Sequence, residues 1–200
     1  MSNIFIVKDS VTKLPIDCVV NAANEGLWAG GGVCGVIFAE AGHEQLTRAC
    51  RAIGRCETGG AVITPGFDLR AKHIIHAVGP IWNDGKRNEA ELLYSAYYNS
   101  LKLAKKNKIS SIGFPLISSG IFGYPKEQAW ERGLSACLDF ITKNADYDFD
   151  IYFAVLDDAA LQLGQNVLER LSTQFSEAKK KISQKSSTVR SREQGAGKDG

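Results

Sequence analysis

The stretch NAANEGLWAGGGVCGVIFAEAG, residues 21–42, decides the fold of this chain. It directly follows the apolar run IDCVV, and its centre is a run of three glycines at residues 30–32. Behind the glycines, apolar residues recur at helical spacing as far as Gly42, a residue type that commonly ends helices. The stretch therefore predicts a strand, a glycine loop and a helix in succession.

A second loop with the same setting is SSGIFGYP, residues 118–125, which follows another apolar run and precedes another helical pattern. Loops after parallel strands meet at one edge of an open α/β sheet, where such sheets bind ligands. Glycines let a ligand approach the backbone, and a helix N-terminus offers free N–H groups to an anion. Each loop alone is equally well explained as a tight turn, but two at one edge favour a phosphate-binding cradle.

Six short apolar runs predict the strands of the sheet: 4–7, 17–22, 61–64, 73–78, 111–117 and 150–156. Several are apolar at successive positions, as expected for strands covered on both faces. Because longer helical patterns alternate with them, we expect an α/β fold, a three-layer α/β/α domain with a mixed, mainly parallel central sheet. The first two runs resemble a hairpin, which predicts an antiparallel edge.

Polar residues and a proline mark the starts of three later helices. Asn88 with Glu91 resembles a capping box, and Pro125 suits the first position of the following helix. Asp157 or Asp158 is placed to cap the last helix.

The glycine run does not have the setting of a common nucleotide-binding motif. Residues 30–35 satisfy G-x-G-x-x-G by letter, but about eight residues separate them from the strand. No acidic residue ends a strand about 20 residues further on, as a dinucleotide site requires. A G-x-x-x-x-G-K-[ST] sequence is absent. The sequence argues against a dinucleotide-dependent oxidoreductase and a P-loop enzyme, and we expect no cofactor.

Cysteine and histidine placement argues against a metal site. The five cysteines have scattered spacings with no C-x-x-C pair, so reduced thiols in a cytoplasmic protein are the simplest account. His73 and His76 lie three apart on a predicted strand and should point to opposite faces. No apolar stretch approaches the roughly 18 residues of a membrane helix, and the N-terminus lacks the pattern of a signal peptide.

The positive charge is concentrated at the C-terminus. Residues 176–200 carry seven Lys or Arg against three Asp or Glu, so residues 1–175 have a net charge of −2 within an overall +2. The segment 176–200 has few apolar side chains, which predicts a basic, disordered tail after one globular domain at residues 1–175. A solvated tail is favoured over one that binds nucleic acid or an acidic partner.

The motifs VVNAAN, GGGVCGVIFAEAG, TGGAVITPG, HIIHAVGP and PLISSGIFGYP occur in an order and spacing that resemble the macrodomain family, in particular its MacroD-type bacterial branch. The resemblance extends from about residue 3 to residue 171. It implies a fold that binds ADP-ribose, with the diphosphate between the two glycine loops. It also implies a hydrolase that removes ADP-ribose from acidic side chains and cleaves O-acetyl-ADP-ribose.

The resemblance also implies roles for single residues. Asn21 would bond hydroxyls of the distal ribose and support catalysis, Asn24 would shape the first loop, and Asp9 would hold the adenine amino group. Leu156 takes the place of an aromatic ring that often stacks on the adenine. Backbone N–H groups of the second loop would hold the diphosphate. The other residues expected to bind the ligand are Ser10, Gly31, Gly32, Val33, Ser118, Ser119, Gly120, Ile121 and Phe122.

Cys34 is the main departure from the family, because many members have an aspartate here that helps orient or activate the water. An ordinary thiol is mostly protonated at neutral pH and is therefore a poor general base. A small apolar filler is favoured over a chemical role for this residue. Hydrolysis would then rest on Asn21, the glycine loops and the substrate's own α-phosphate, which can hold and polarise the water.

The sequence is compatible with two functions, a mono-ADP-ribosyl hydrolase and a non-catalytic reader of ADP-ribose. The hydrolase is favoured because everything but one acidic residue matches. The expected partners are ADP-ribose, O-acetyl-ADP-ribose or mono-ADP-ribosylated proteins. We expect no membrane partner, and no nucleic-acid or poly(ADP-ribose) partner except through the basic tail.

Overall fold

The computed structural model describes residues 2–195, with side chains up to residue 177. Six strands lie where the sequence predicts strands. They are β1 Asn3–Lys8, β2 Cys18–Ala23, β3 Ala61–Pro65, β4 His73–Val78, β5 Ser111–Phe114 and β6 Asp150–Val155. They form one sheet in the order β1-β6-β5-β2-β4-β3. Every neighbouring pair is parallel except β3 with β4, so the sheet is mixed and mainly parallel, as predicted.

The predicted antiparallel edge at the N-terminus is wrong. β1 pairs with β6 in parallel, and the antiparallel edge strand is β3. The chain between β1 and β2 forms a short 3-10 turn, Val11–Lys13, instead of a hairpin loop. The side chains of Val11, Leu14 and Ile16 are buried in the core, and this burial draws the connection away from a tight turn.

Within residues 2–195, five helices cover the two faces of the sheet: α1 Gly32–Ala41, α2 His43–Ile53, α3 Glu89–Lys106, α4 Lys126–Lys143 and α5 Asp158–Gly195. One apolar core holds Leu93, Trp130 and Val167, from α3, α4 and α5. The other core holds Phe38 of α1 and Leu46 of α2. The sheet therefore lies between two helical layers, which confirms the α/β/α prediction. Among the described residues, no helix has the length and apolar character needed to cross a membrane.

The helix ends agree with the sequence in part. The Asp157 carboxylate accepts a hydrogen bond from the Ala160 N–H at 2.7 Å, so Asp157 caps α5, and Pro125 immediately precedes α4. The capping box at Asn88 is wrong. That residue is left-handed, with φ of 60°, and its side chain makes no capping bond, because capping requires an extended backbone. The Glu89 carboxylate accepts instead from two backbone N–H groups of the preceding turn.

The last helix extends into the segment for which composition predicts disorder. α5 is continuous to Gly195, although residues 196–200 lie outside the described part of the chain. No glycine or proline occurs between Gly164 and Gly195, and lysine, glutamate and glutamine are good helix formers. Helix propensity accounts for the continuation of α5. The boundary between domain and tail at residue 175 stays a prediction.

Tyr97 of α3 fixes the segment between β5 and the second glycine loop. Its side chain is fully buried, and its hydroxyl donates to the Pro115 carbonyl at 3.3 Å and accepts from the Ile117 N–H at 2.9 Å. The neighbouring helix comes close because position 133 is glycine. A Cβ there would lie 2.9 Å from the Tyr97 ring. The start of the loop is thus fixed from within the core.

Replacing Tyr97→Phe should lower the free energy of unfolding by about 1–3 kcal/mol, because the Ile117 N–H would be left buried without a partner. Urea unfolding measures this. The matched control is Tyr152→Phe, at a half-buried position of β6, which should change stability by no more than about 0.5 kcal/mol. Equal losses in the two variants would contradict the role given to the Tyr97 hydroxyl.

Candidate functional site

The two glycine loops follow strands that are neighbours in the sheet. The first loop leaves β2 and the second leaves β5, and these strands pair in parallel, so both loops lie at the same edge. From β2 the chain continues to β3 and β4, which lie on one side, and from β5 it continues to β6 on the other. The point where the strand order reverses in this way is the usual ligand crevice of an open α/β sheet.

The first loop is held in shape by Asn24. Its side-chain amide donates to the Trp28 carbonyl at 2.9 Å and accepts from the Trp28 N–H at 3.2 Å. The Glu25 carboxylate ties the loop to a neighbouring segment by accepting from the hydroxyl and N–H of Thr58. These two bonds, together with Arg55, hold the pKa of Glu25 below its ordinary value. The loop is therefore held open by its own polar side chains.

Two positions of this stretch, 32 and 35, require glycine for different physical reasons. Gly32 has φ of +58° and open space at the position of a Cβ, so its backbone conformation selects glycine. A Cβ on Gly35 would lie 2.8 Å from the Gly30 carbonyl, so the first turn of α1 packs directly on the loop. The first N–H groups of a helix have no partner within the helix. The start of α1 at Gly32 thus presents unpaired N–H groups beside an exposed glycine run.

The second loop leaves three successive backbone N–H groups free. The Ser119 N–H donates to the Leu116 carbonyl just before the loop, and those of Gly123 and Tyr124 donate to carbonyls within the loop. In the described part of the chain, the N–H groups of Gly120, Ile121 and Phe122 take part in no backbone hydrogen bond.

The two loops come into contact across the crevice. A Cβ on Gly31 would lie 3.0 Å from Cδ1 of Ile121, whose side chain is 80% exposed. Beneath the second loop, a Cβ on Gly79 would lie 2.2 Å from the Ser118 hydroxyl, so the chain leaving β4 also approaches as bare backbone. Ser118 itself is buried and left-handed, with φ of 66°. The walls of the crevice are therefore largely main chain.

Asn21 lies in β2 before the first loop, and it is buried with 1% of its surface exposed. Its Nδ2 lies 3.1 Å from Nδ1 of His76 and 3.6 Å from Sγ of Cys34. Its Oδ1 is buried with no partner among the described residues. A buried polar atom without a hydrogen bond is costly, so this free acceptor indicates a binding or strained site.

Cys34, in the first turn of α1, is buried but hydrogen-bonded. Its sulfur accepts from the Gly30 N–H at 3.4 Å and lies 3.8 Å from the Trp28 carbonyl. It belongs to the apolar core on the α1 side of the sheet. Cys34, which the sequence predicts to be a small apolar filler, thus also links the first loop to the Asn21 amide.

Comparison with known proteins places this architecture in a family. A model of the Macro domain matches residues 20–132. An O-acetyl-ADP-ribose deacetylase of Escherichia fergusonii is 44% identical over 171 residues, which cover 84% of this chain and 96% of that protein. The chain belongs to the macrodomain family.

Solved macrodomains share the fold in detail. The Oceanobacillus iheyensis macrodomain with ADP matches with a TM-score of 0.80 at 37% identity, over 84% of this chain and 91% of that chain. The Trypanosoma brucei macrodomain in complex with ADP-ribose matches with a TM-score of 0.75 at 32% identity, over 82% and 68%. The resemblance stated from the motifs is thereby confirmed.

The far end of the macrodomain crevice brings together the residues expected near the adenine. Asp9 follows β1 and its N–H donates to the Val155 carbonyl at 3.0 Å, which sets it beside Leu156 at the end of β6. The Asp9 carboxylate accepts from the Ser10 N–H at 2.7 Å. Leu156 is 77% exposed, so it offers an apolar surface there.

His76 is the main residue of this macrodomain site that sequence reasoning missed. It lies in β4 directly opposite Asn21 in the parallel register, and it is fully buried. Burial lowers its pKa to about 4, so the imidazole is neutral at physiological pH. Its Nε2 lies 3.0 Å from the Thr64 hydroxyl in β3. A histidine inside an apolar strand was the available signal, and only the strand register connects it to Asn21. Among the described residues, no cluster of potential metal ligands is found.

Burial of His76 makes the stability of this macrodomain depend on pH. The unfolded histidine has a pKa of about 6.5 and the folded one a pKa of about 4, so between these values only the unfolded chain binds the proton. Stability is complete above about pH 6.5 and decreases as the pH falls toward 4. In urea unfolding at pH 7 and pH 5, the wild type should lose about 2 kcal/mol more than His76→Asn. Equal losses would show that His76 is not buried in its neutral form.

Proposed function

We propose that this macrodomain binds ADP-ribose and hydrolyses its esters, both O-acetyl-ADP-ribose and the ester between ADP-ribose and acidic protein side chains. The observation that carries the proposal is a buried amide, Asn21, with a free acceptor atom between two loops of exposed backbone. The relatives named O-acetyl-ADP-ribose deacetylase, matched over most of their length, support the choice of reaction.

Backbone groups would bind the diphosphate. The free N–H groups of Gly120, Ile121 and Phe122 lie on one wall, and the start of α1 lies on the other. Main-chain donors and a helix N-terminus suit an anion without needing a charged side chain. Glycines at Gly31 and Gly32 would let the phosphates and the distal ribose come within hydrogen-bonding distance of the chain.

The two ends of the ligand would be recognised differently. The Oδ1 atom of Asn21, which has no partner among the described residues, would accept a hydrogen bond from a hydroxyl of the distal ribose. At the other end, the Asp9 carboxylate would accept from the adenine amino group while Leu156 forms an apolar floor. The register of β1 and β6 supports a shared role for Asp9 and Leu156, because it sets these two residues side by side just beyond the paired strands.

Hydrolysis adds water across the ester and gives ADP-ribose and a carboxylic acid. Among the described residues, the side chains hydrogen-bonded to Asn21 are the neutral His76 and Cys34, so no carboxylate is bonded to it that could serve as a general base. The water would therefore be held and polarised by the substrate's α-phosphate. The protein would contribute orientation, through Asn21 and the glycine loops.

The state of the cysteines bears on the compartment in which the protein acts. All five cysteines are free and buried, which fits a reducing compartment, so a cytoplasmic location stays the prediction.

Asn21→Ala should reduce the release of acetate from O-acetyl-ADP-ribose by roughly 10- to 100-fold, because the distal ribose would lose its orienting group. The matched control is Asn107→Ala, at the C-terminal end of α3 and the opposite edge of the sheet, which should stay within about twofold of the wild type. Full activity in Asn21→Ala would contradict the role of this amide.

Variants of Cys34 test where the water is activated. Cys34→Ala should keep measurable turnover, since the thiol supplies no base. Cys34→Asp should raise the rate, because a carboxylate there could act as a general base toward the water. The N–H of Gly30 and the amide of Asn21, which now contact the Cys34 sulfur, would orient it. The measurement is single-turnover hydrolysis of O-acetyl-ADP-ribose. Loss of all turnover in Cys34→Ala would instead make the thiol indispensable.

The second candidate, a non-catalytic reader, is favoured only by the missing acid at Cys34. Incubation with a protein mono-ADP-ribosylated on glutamate or aspartate separates the two. Release of the ADP-ribose label supports the hydrolase. Tight binding without release over hours would leave the reader.

A further inference from the structure

His76 makes a hydrogen bond to the proposed catalytic amide, although the reaction above gives it no task. Parallel pairing of β2 and β4 places Asn21 directly opposite His76, so the two side chains leave the same face of the sheet. Both are buried, and Nδ2 and Nδ1 are 3.1 Å apart. The contact is therefore set by the strand register rather than by a surface loop.

The partners of the imidazole determine which nitrogen carries the proton. The Thr64 hydroxyl donates to the Pro65 carbonyl at 3.1 Å, which leaves its oxygen as an acceptor for the Nε2–H of His76 at 3.0 Å. Nε2 also lies 3.8 Å from the sulfur of Cys50, a thiol that can accept as well as donate, so the Thr64 hydroxyl is the partner that sets the tautomer. With the proton on Nε2, Nδ1 is an acceptor.

An acceptor at Nδ1 determines the orientation of the Asn21 amide. Only the NH2 end of the amide can donate to Nδ1, and its second proton lies toward the Cys34 sulfur. The carbonyl end, Oδ1, is then the end left without a partner. An amide turned by 180° would place its oxygen against the lone pair of Nδ1, and the hydrogen bond would be lost.

We propose that His76 is a positioning residue that holds the Asn21 amide with its oxygen free to accept a hydroxyl of the distal ribose. This rests on the proposed function. His76 thereby helps the site distinguish ADP-ribose, which has that ribose, from ADP, which lacks it. The imidazole acts as a neutral acceptor and transfers no proton.

Two nearly isosteric variants test the proposal. His76→Leu removes the acceptor, whereas His76→Asn can place a carbonyl oxygen near the position of Nδ1. Calorimetry with ADP-ribose and with ADP gives the two affinities for each variant. His76→Leu should weaken ADP-ribose binding by about 3- to 10-fold, the value of one hydrogen bond, and leave ADP binding unchanged. His76→Asn should restore most of the loss.

Kinetics and a double mutant separate positioning from general damage to the fold. His76→Leu should lower kcat for O-acetyl-ADP-ribose by about the same factor as the affinity. In an Asn21→Ala background the same change should have no further effect on ADP-ribose binding. Equal weakening of ADP and ADP-ribose binding, or a full additional loss in the Asn21→Ala background, would overturn the proposal.

A measurement on the unmodified protein keeps the test valid if a variant does not fold. Long-range 1H–15N NMR spectra of the imidazoles report which nitrogen of His76 carries the proton. An Nε2–H tautomer at neutral pH is expected, and an Nδ1–H tautomer or an imidazolium would overturn the proposal. A wild type that binds ADP-ribose better than ADP but releases no acetate would refute the hydrolase alone. The predicted effect of His76→Leu on the two affinities would then still hold.

Discussion

The site depends on the close approach of two loops that follow neighbouring parallel strands. Side chains would fill the space between the loops that follow β2 and β5, so the crevice requires positions where only backbone is present. Gly35 lies against the Gly30 carbonyl, and Gly79 lies against Ser118. These approaches bring main-chain N–H groups to both walls. The ligand chemistry that such walls favour is that of an anion such as a diphosphate.

Much of this arrangement could be predicted from the sequence because it is local. All six strands, the helix after each glycine loop and the cap at Asp157 follow from apolar spacing and single residue types. The parallel pairing of β1 with β6 could not, because burial of Val11, Leu14 and Ile16 decides it rather than the length of the connection. Asn88 failed as a cap because its backbone is left-handed, a property that letters alone do not encode.

Within the candidate site, the sequence of one stretch suggests the residues in and before the first loop, but it does not suggest the residue behind them. Asn21, Asn24 and Cys34 lie in the same quoted stretch as the glycines. His76 lies far along the chain and meets Asn21 only through the register of two strands, one of which also pairs with the strand that carries Thr64. The spacing from His73 argued against a metal pair but gave no reason for His76 itself.

The central claim is that ADP-ribose lies with its diphosphate between the two loops and its distal ribose on Asn21. A crystal structure of the complex with ADP-ribose tests it most directly. The diphosphate should accept hydrogen bonds from the N–H groups of Gly120, Ile121 and Phe122, with a distal ribose hydroxyl on Oδ1 of Asn21 and the Asn21–His76 contact retained. A diphosphate bound elsewhere, or an Asn21 amide that makes no contact with the ribose, would contradict the account.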